Sequence, residues 1–114
     1  MELSDKHVDS AAILVVKGRV DMATSDAFRE HLLATLTGGL PLVIDFSGVV
    51  YISSAGLRAL MLASKQARSA GTKLAVAALQ PVVLEIFQIS RFDKLIPCHP
   101  TVDAALAAIR PGNS

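Results

Sequence analysis

The sequence predicts a single α/β domain in which a mixed, mostly parallel β-sheet is backed by about four α-helices, in the order β-β-α-β-α-β-α-β-α. Short apolar runs rich in β-branched residues alternate along the chain with segments whose apolar residues repeat every three or four positions. Glycine, proline and other turn-forming residues separate these segments. The length of 114 residues suits one domain with one core, which we expect to span residues 1–110, followed by a disordered tail at residues 111–114.

The first part of the chain predicts a β-hairpin and a helix. Residues 1–8 fit an edge strand and residues 11–17 a stronger strand, and the turn residues Asp9 and Ser10 favour an antiparallel connection. Thr24 is a suitable N-cap for the helix that follows, and Gly38-Gly39 ends it. The apolar stripe of this helix comprises Phe28, Leu32 and Leu36.

A pair of serines at the centre of the chain joins a predicted buried strand to the longest predicted helix. Residues 42–46 form a short apolar run bounded by Pro41 and Gly48, which is typical of a strand covered on both faces. The helical stripe that follows begins with Leu57, Leu60, Met61 and Leu62 and continues through Ala67 to Gly71. Ser53 and Ser54 therefore lie at a helix N-terminus, where free backbone N–H groups favour an oxygen atom or an anion.

The second half of the chain repeats the alternation of strand and helix. Residues 73–79 predict a buried strand, and Pro81 is a favoured first residue for the next helix. One side of that helix carries Val83, Ile86, Phe87 and Ser90. Residues 95–97 predict a short terminal strand, and Thr101 caps a last helix. The apolar face of the last helix consists of Val102, Ala105, Leu106 and Ile109. Because helices join the later strands, we expect those strands to be parallel.

Composition argues against several classes of protein. The 11 Lys and Arg residues nearly balance the 10 Asp and Glu residues, and no basic run occurs, so nucleic acid is not an expected partner. No apolar run approaches the roughly 18 residues that cross a bilayer, and the N-terminal residues lack the features of a signal peptide. We therefore expect a cytoplasmic protein without membrane insertion. Cys98 is the only cysteine and the three histidines lack metal-ligand spacing, so we expect no disulfide, metal or cofactor.

The residues alone leave the role of the serine turn open. Ser53 and Ser54 fit plain helix caps, and Asp21 and Asp45 fit ordinary loop and strand-end carboxylates. Asp45 follows an apolar run, where an acid costs free energy unless it is solvated or partnered. The carboxyl ends of parallel strands are where functional groups gather. We therefore expect Asp45 to lie at the end of its strand and to line one rim with Ser54.

The serine turn resembles the signature of the STAS domain family, the bacterial anti-sigma factor antagonists or anti-anti-sigma factors. In that family an apolar strand leads through Asp-Ser-Ser/Thr-Gly-Leu into a helix, and the matching residues here are Ser53-Ser54-Ala55-Gly56-Leu57. The resemblance extends over nearly the whole chain. The other matching segments are Gly18-Arg19-Val20-Asp21 with Thr24, Val43-Ile44-Asp45-Phe46-Ser47, Gly71-x-Lys73-Leu74, Leu79-Gln80-Pro81-Val82 and Ile86-Phe87-x-Ile89-Ser90.

The resemblance implies a phosphorylation-switched regulator of transcription, acting by partner switching, and not an enzyme. The family's phosphate acceptor corresponds to Ser54. The implied partners are an anti-sigma factor that is also a serine kinase, bound by the unphosphorylated protein so that a sigma factor is released, and a serine phosphatase of the metal-dependent class. The implied partner-binding residues are Asp21, Thr24, Asp45, Ser53, Ala55, Gly56, Leu57 and Arg58. This sequence departs from the family pattern at Ser53 in place of Asp, Ala55 in place of a hydroxyl residue, and Arg91 in place of a helix-ending Gly.

Two alternatives to the phosphorylation switch remain at this point. The same fold also serves as a non-phosphorylated subunit of a lipid-transport ATPase or as a sensory relay. A serine hydrolase is the more remote alternative, since Ser54 and Gly56 match part of the elbow Gly-x-Ser-x-Gly but Ile52 replaces its first glycine. The sequence shows no heptad repeat and no long open edge, so we expect a monomer when the protein is free.

Overall fold

The structure, a computed structural model, describes residues 1–110, and the tail predicted at residues 111–114 lies outside the described residues. The predicted order of elements is confirmed, with one short helix added. The elements are β1 (Glu2–Val8), β2 (Ala11–Val20), α1 (Ser25–Leu36), β3 (Leu42–Ile52), α2 (Ser54–Ser69), β4 (Leu74–Ala77), α3 (Pro81–Ile89), α4 (Phe92–Leu95), β5 (Cys98–His99) and α5 (Val102–Ile109).

The five strands form one mixed sheet in the order β1-β2-β3-β4-β5. β1 pairs antiparallel with β2, and the pairs β2-β3, β3-β4 and β4-β5 are all parallel, as the hairpin and the helical connections predict. β1 forms a seven-residue outer edge of the sheet, in agreement with the edge strand predicted at residues 1–8. Its exposed charged side chains, among them Glu2, Asp5 and Lys6, are of the kind that oppose edge-to-edge association.

Helices cover both faces of the sheet, and the core is correspondingly divided in two. The larger cluster lies under α1, α2 and α3 and includes a chain of three ring contacts through Phe28, Phe46, Phe87 and Phe92. The predicted stripe of α1 is buried throughout, with Phe28, Leu32 and Leu36 at 0% exposure. The smaller cluster lies under α5 and is built mostly from alanine, valine and isoleucine side chains. α5 thus packs close to strands whose side chains on that face are small.

The central strand is longer than predicted, because Gly48 does not end it. β3 continues to Ile52, and its pairing with β2 shifts register between Val15 and Lys17 and again between Gly18 and Arg19. A Cβ at position 48 would lie 2.8 Å from Cγ of Lys17, so glycine allows the two strands to approach at this irregularity. Beyond this irregularity β3 continues to the serine turn, and the end of β2 pairs beside it.

The C-terminal third contains one correction to the predicted elements. The apolar run at residues 95–97 is not a strand: Leu95 ends α4, Ile96 is its buried C-cap, and the strand comprises Cys98 and His99. Arg91 precedes α4 with φ +64°, the left-handed conformation that the expected glycine would adopt without strain. The N-cap role predicted for Thr101 is confirmed, since its side chain accepts a hydrogen bond from Ala104 N–H at 3.1 Å.

Across residues 1–110, no helix has the length and apolar character that crossing a bilayer requires.

Candidate functional site

Ser53 fixes the position at which α2 begins. Its backbone is extended, and its N–H donates to the Val20 carbonyl at 2.8 Å, which joins the end of β3 to the end of β2. The Ser53 carbonyl accepts from Leu57 N–H at 2.9 Å, and its hydroxyl oxygen accepts from Gly56 N–H at 3.3 Å. Ser53 is therefore a true N-cap, which confirms the capping interpretation for the first serine of the pair.

Ser54 has a different environment from Ser53. It is the first residue of α2 and is exposed, whereas Ser53 is half-buried. Within residues 1–110 the Ser54 hydroxyl makes no hydrogen bond, so the side chain is not used to cap the helix. The first turn of α2 also contains no acidic residue that would compensate the positive end of the helix dipole. The structure thus presents an accessible hydroxyl beside uncompensated backbone dipoles.

Gly56 allows α2 to pack closely against the ends of β2 and β3. A Cβ at this position would lie 2.7 Å from Cγ1 of Ile52, 2.8 Å from Cγ1 of Val20 and 3.1 Å from the Val20 carbonyl oxygen. Both neighbouring side chains are buried and β-branched, so they have little freedom to move aside. Gly56 and Leu57 are themselves buried, so they support the turn from the interior of the protein.

The loop from β2 to α1 is held by reciprocal hydrogen bonds between Asp21 and Thr24. Asp21 N–H donates to the Thr24 hydroxyl oxygen at 2.9 Å, and the Asp21 carboxylate accepts from the N–H groups of Ala23 and Thr24. The Thr24 hydroxyl lies 3.1 Å from both Asp21 Oδ1 and the Arg19 carbonyl oxygen, either of which can accept its proton. Thr24 occupies the predicted N-cap position of α1, but its side chain makes no capping hydrogen bond to the helix.

These hydrogen bonds also determine the protonation of Asp21. The bond from the Thr24 hydroxyl is the main cause that lowers the pKa of Asp21 below its ordinary value of 3.8. The N–H groups of Thr24 and Ala23 and the nearby Arg19 act in the same direction. Asp21 is therefore an anion at neutral pH, and it directly follows Val20, whose carbonyl is bonded to Ser53. The loop and the serine turn are neighbours on the same surface.

Two further residues of this surface carry no signal in the sequence. The Arg19 guanidinium lies 4.6 Å from the centre of the Tyr51 ring, in a cation–π arrangement, and its Nε is 3.8 Å from Asp21 Oδ2. Neither residue stands out in the sequence, because their contact depends on the shifted pairing of β2 with β3. Met22, in the loop, is 83% exposed, and Val50, in β3, is 51% exposed.

Arg58 and Ala55 lie beside a small cavity between α1 and α2. Ser25, Asp26 and Arg29 of α1 line its other side, and its volume is about 80 Å³. Arg29 forms an ion pair with Asp26 at 3.3 Å, whereas Arg58 is exposed and forms no ion pair within residues 1–110. A free cation therefore stands one turn beyond Ser54 on the same helix.

Asp45 is not placed where the sequence analysis expected it. It lies within β3 and not at its end, seven residues before Ile52, which corresponds to roughly 20 Å along an extended strand. It alternates with Ile44 and Phe46, which belong to the cluster under α1–α3, so its side chain points to the α5 face. Its carboxylate accepts from Ser47 N–H at 2.9 Å. The expectation that Asp45 and Ser54 line one rim is therefore wrong, because the strand continues past Asp45.

Comparisons with known proteins agree with this architecture. A family model described as the STAS domain matches residues 2–105. The protein named "Putative anti-sigma factor antagonist BtrV" from Bordetella bronchiseptica is 34% identical over 111 residues, which cover 96% of this chain and 96% of that relative. The crystal structure of an anti-sigma factor antagonist from Mycobacterium paratuberculosis has 30% sequence identity and a TM-score of 0.86, and the match covers 96% of this chain and 93% of that one.

A more distant similarity shows the fold alone. The anti-sigma factor antagonist SpoIIAA of Bacillus, solved in a phosphorylated form, aligns with a TM-score of 0.71 at 13% identity, over 96% of this chain and 100% of that one. The family-model match extends over most of the chain, and the Bordetella relative matches it almost end to end. The chain therefore belongs to the STAS domain family, within the group of anti-sigma factor antagonists.

Proposed function

We propose that this protein is an anti-sigma factor antagonist controlled by phosphorylation of Ser54. In the unphosphorylated form it binds an anti-sigma factor that is also a serine kinase, and this binding releases a sigma factor. The observation that carries the proposal is the exposed, unbonded hydroxyl of Ser54 at the start of α2. A serine phosphatase of the metal-dependent class would restore the binding form.

The geometry of the serine pair favours Ser54 over Ser53 as the phosphate acceptor. The Ser53 hydroxyl already accepts a hydrogen bond from Gly56, and its side chain is half-buried. To attack a phosphate donor, the Ser53 hydroxyl would have to leave this cap, at a cost of about 1 kcal/mol. Modification of Ser54 breaks no hydrogen bond within the described residues. The absence of the family's usual Asp at position 53 does not remove the cap, because serine and aspartate are comparable N-cap residues.

The start of α2 is suited to hold a phosphoryl group without a change of fold. Phosphorylation adds about −1.5 to −2 charges, and helix N-termini stabilise anions through free N–H groups and the helix dipole. Arg58, one turn further along α2, is exposed and able to approach the added phosphate. The existence of a phosphorylated form of SpoIIAA supports the view that this fold tolerates the modification.

The surface that we propose to dock against the kinase combines the Asp21–Thr24 loop with the start of α2. The exposed side chains of Met22, in the loop, and Val50, near the end of β3, can supply the apolar area that an interface core requires. Phosphorylation would place a second anion near Asp21. An unpaired charge buried at an interface costs about 2–5 kcal/mol, or roughly thirtyfold to several thousandfold in affinity. A loss of that size releases the partner.

The proposal is tested by incubating the protein with ATP and its cognate anti-sigma kinase, and locating the phosphate by mass spectrometry. We expect one phosphate on Ser54, retention of phosphorylation in Ser53→Ala, and its loss in Ser54→Ala. Ser54→Ala should also remain bound to the kinase when ATP is present. Phosphate on Ser53, or no phosphate together with stable association with an ATPase, would contradict the proposal.

Arg58→Ala separates two roles for this cation. If Arg58 holds the phosphate, the variant binds the kinase normally before phosphorylation and differs from the wild type only after it. Equal loss of binding in the unmodified state would instead show that Arg58 contacts the partner. Lys65→Ala, which removes an exposed cation from the middle of the same helix, is the matched control.

A further inference from the structure

A second candidate site lies at the other end of α2 from Ser54. It is a cavity of about 420 Å³ at the edge of the sheet next to β4, and we call it the β4-edge cavity. α2 contributes Ser64, Ala67 and Arg68, β4 contributes Leu74, and α5 contributes Ala108 and Ile109. At about 30 Å³ per molecule in the liquid, the volume is that of about fourteen waters, within the range of small-molecule sites.

One buried polar atom in the lining of this cavity has no hydrogen-bond partner within residues 1–110, and one hydroxyl group beside it is also unbonded. Ser64 is only 9% exposed, and within residues 1–110 its hydroxyl makes no hydrogen bond. Nε2 of His99 is the buried atom that has no hydrogen-bond partner in this part of the chain. Buried polar groups almost always have hydrogen-bond partners. A buried polar atom without a partner in the lining therefore indicates that the cavity receives a polar occupant.

The backbone of Leu74 adds a donor and an acceptor to the same cavity. The Lys73 carbonyl is directed to β3, where it accepts from Leu42 N–H, whereas Val76 N–H donates to the Pro97 carbonyl of the β5 segment. Alternate residues of a strand present their N–H and C=O groups to the same side. The N–H and C=O groups of Leu74 therefore face the β5 side of β4. Pairing between β4 and β5 begins only at Val76.

Pro97 is the reason that the ladder stops short of Leu74. In a parallel ladder extended by two residues, the amide of residue 97 would donate to the Leu74 carbonyl. Proline has no N–H, so that carbonyl is left facing the cavity. The open edge of β4 is consequently a polar strip within an apolar wall formed mainly by alanine, leucine and isoleucine side chains.

The cationic side chain of Arg68 gives this cavity a preference for anions. Arg68 and Lys73 both line it, and Arg68 forms no ion pair within residues 1–110. A planar guanidinium matches the geometry of a carboxylate, and the Ser64 hydroxyl and Leu74 N–H are further donors. We propose that the β4-edge cavity binds a small organic carboxylate with an apolar body. Ser64 is ten residues from Ser54, about 15 Å along the helix axis, so this site is independent of the proposed switch.

The test is a titration of the isotope-labelled full-length protein with sodium octanoate, followed by amide chemical shifts in NMR spectra. We expect saturable shifts at Ala67, Leu74 and Ala108, with a dissociation constant of about 1 mM or tighter, and no saturable shift at Ser54. Arg68→Gln should weaken octanoate binding about tenfold while leaving the weaker binding of 1-octanol unchanged. Lys65→Gln, which removes a neighbouring cation that does not line the cavity, should leave octanoate binding unchanged.

Filling the cavity is the second arm of the test. Ser64→Leu should abolish octanoate binding, and Ala108→Leu should do so from an exposed position of α5, where the substitution does not threaten folding. The proposal is overturned if octanoate gives no saturable shifts, which would mean that the cavity holds water only. It is equally overturned if 1-octanol binds as tightly as octanoate, or if the folded leucine variants bind octanoate like the wild type.

Discussion

The hydroxyl of Ser53 accepts a hydrogen bond from the amide of Gly56 across the first turn of α2, at 3.3 Å. This bond satisfies one of the N–H groups that a helix N-terminus leaves free, and it leaves Ser54 beside it without a structural task. The two serines therefore have different roles in the turn. Ser53 maintains the helix start, and Ser54 is available for chemistry.

Replacement of Ser53 should affect the stability of the protein through the helix cap. We expect Ser53→Ala to lower the free energy of unfolding by about 1 kcal/mol, because the Gly56 amide loses its acceptor. Ser53→Asp should be within about 0.5 kcal/mol of the wild type, since aspartate also caps. Urea denaturation followed by circular dichroism measures both values. Equal destabilisation by the two substitutions would show that the cap is not what Ser53 contributes.

Gly56 should be intolerant of even one methyl group. Alanine ordinarily stabilises a helix relative to glycine by about 1 kcal/mol, but here its Cβ would lie under 3.0 Å from Val20 and Ile52 side-chain atoms. We expect Gly56→Ala to cost about 1–3 kcal/mol through overpacking. Gly38→Ala is the control: its Cβ would come no closer than 3.5 Å to Thr35 O, so it should be neutral or stabilising. Chemical denaturation of both variants distinguishes a cost of close packing at Gly56 from a general effect of replacing glycine with alanine.

Arg91 should be a site where glycine stabilises the protein. Its φ of +64° places a non-glycine residue in the left-handed region, at a cost of about 1–2 kcal/mol. After allowance for the greater freedom of glycine in the unfolded chain, Arg91→Gly should raise the free energy of unfolding by about 1 kcal/mol. Lys65→Gly, inside α2, should lower it by a similar amount. A destabilised Arg91→Gly variant would mean that the arginine side chain stabilises the folded protein by more than its left-handed backbone conformation costs.

The Asp21–Thr24 loop should become less stable in acid. The Thr24 hydroxyl and the neighbouring N–H groups lower the pKa of Asp21 below 3.8 in the folded protein. A carboxyl whose pKa is lower in the folded state contributes stability above its unfolded pKa, and this contribution disappears as the pH falls through the folded value. The stability difference between wild type and Asp21→Asn should therefore be constant at neutral pH and should narrow below about pH 4. Unfolding curves recorded from pH 7 to pH 2.5 measure this difference. A stability difference that stays constant over this range would contradict the claim that folding lowers the pKa of Asp21.

Most of the fold could be predicted because strong local signals agree with the tertiary structure. The periodic stripe of α1 and the N-caps at Ser53 and Thr101 all occur as the sequence indicates. The predictions were wrong where a local signal had a second explanation. In the sequence Gly48 indicates a strand end, whereas in the structure it accommodates the approach of Lys17 within a continuous strand. The apolar residues 95–97 were interpreted as a strand, whereas Ile96 is buried as the cap of a four-residue helix too short to show periodicity.

The candidate site was predicted as far as it depends on one stretch of chain. Ser53, Ser54 and Gly56 lie together in sequence, and the structure places them in one turn. Contacts between strands had no such signal, which is why Arg19 and Tyr51 were not anticipated. Asp45 was assigned to the wrong place because the length of β3 depends on its pairing with β2, which the residues of β3 alone do not reveal.

Binding of the cognate anti-sigma kinase to this protein, before and after phosphorylation of Ser54, tests the central claim most directly. Calorimetry with a kinase variant that cannot transfer phosphate would give both affinities without further modification during the measurement. We predict that phosphorylation weakens binding by about thirtyfold to several thousandfold, while circular dichroism shows the fold unchanged. Equal affinities for the two forms would contradict the claim that the charge at Ser54 is the switch.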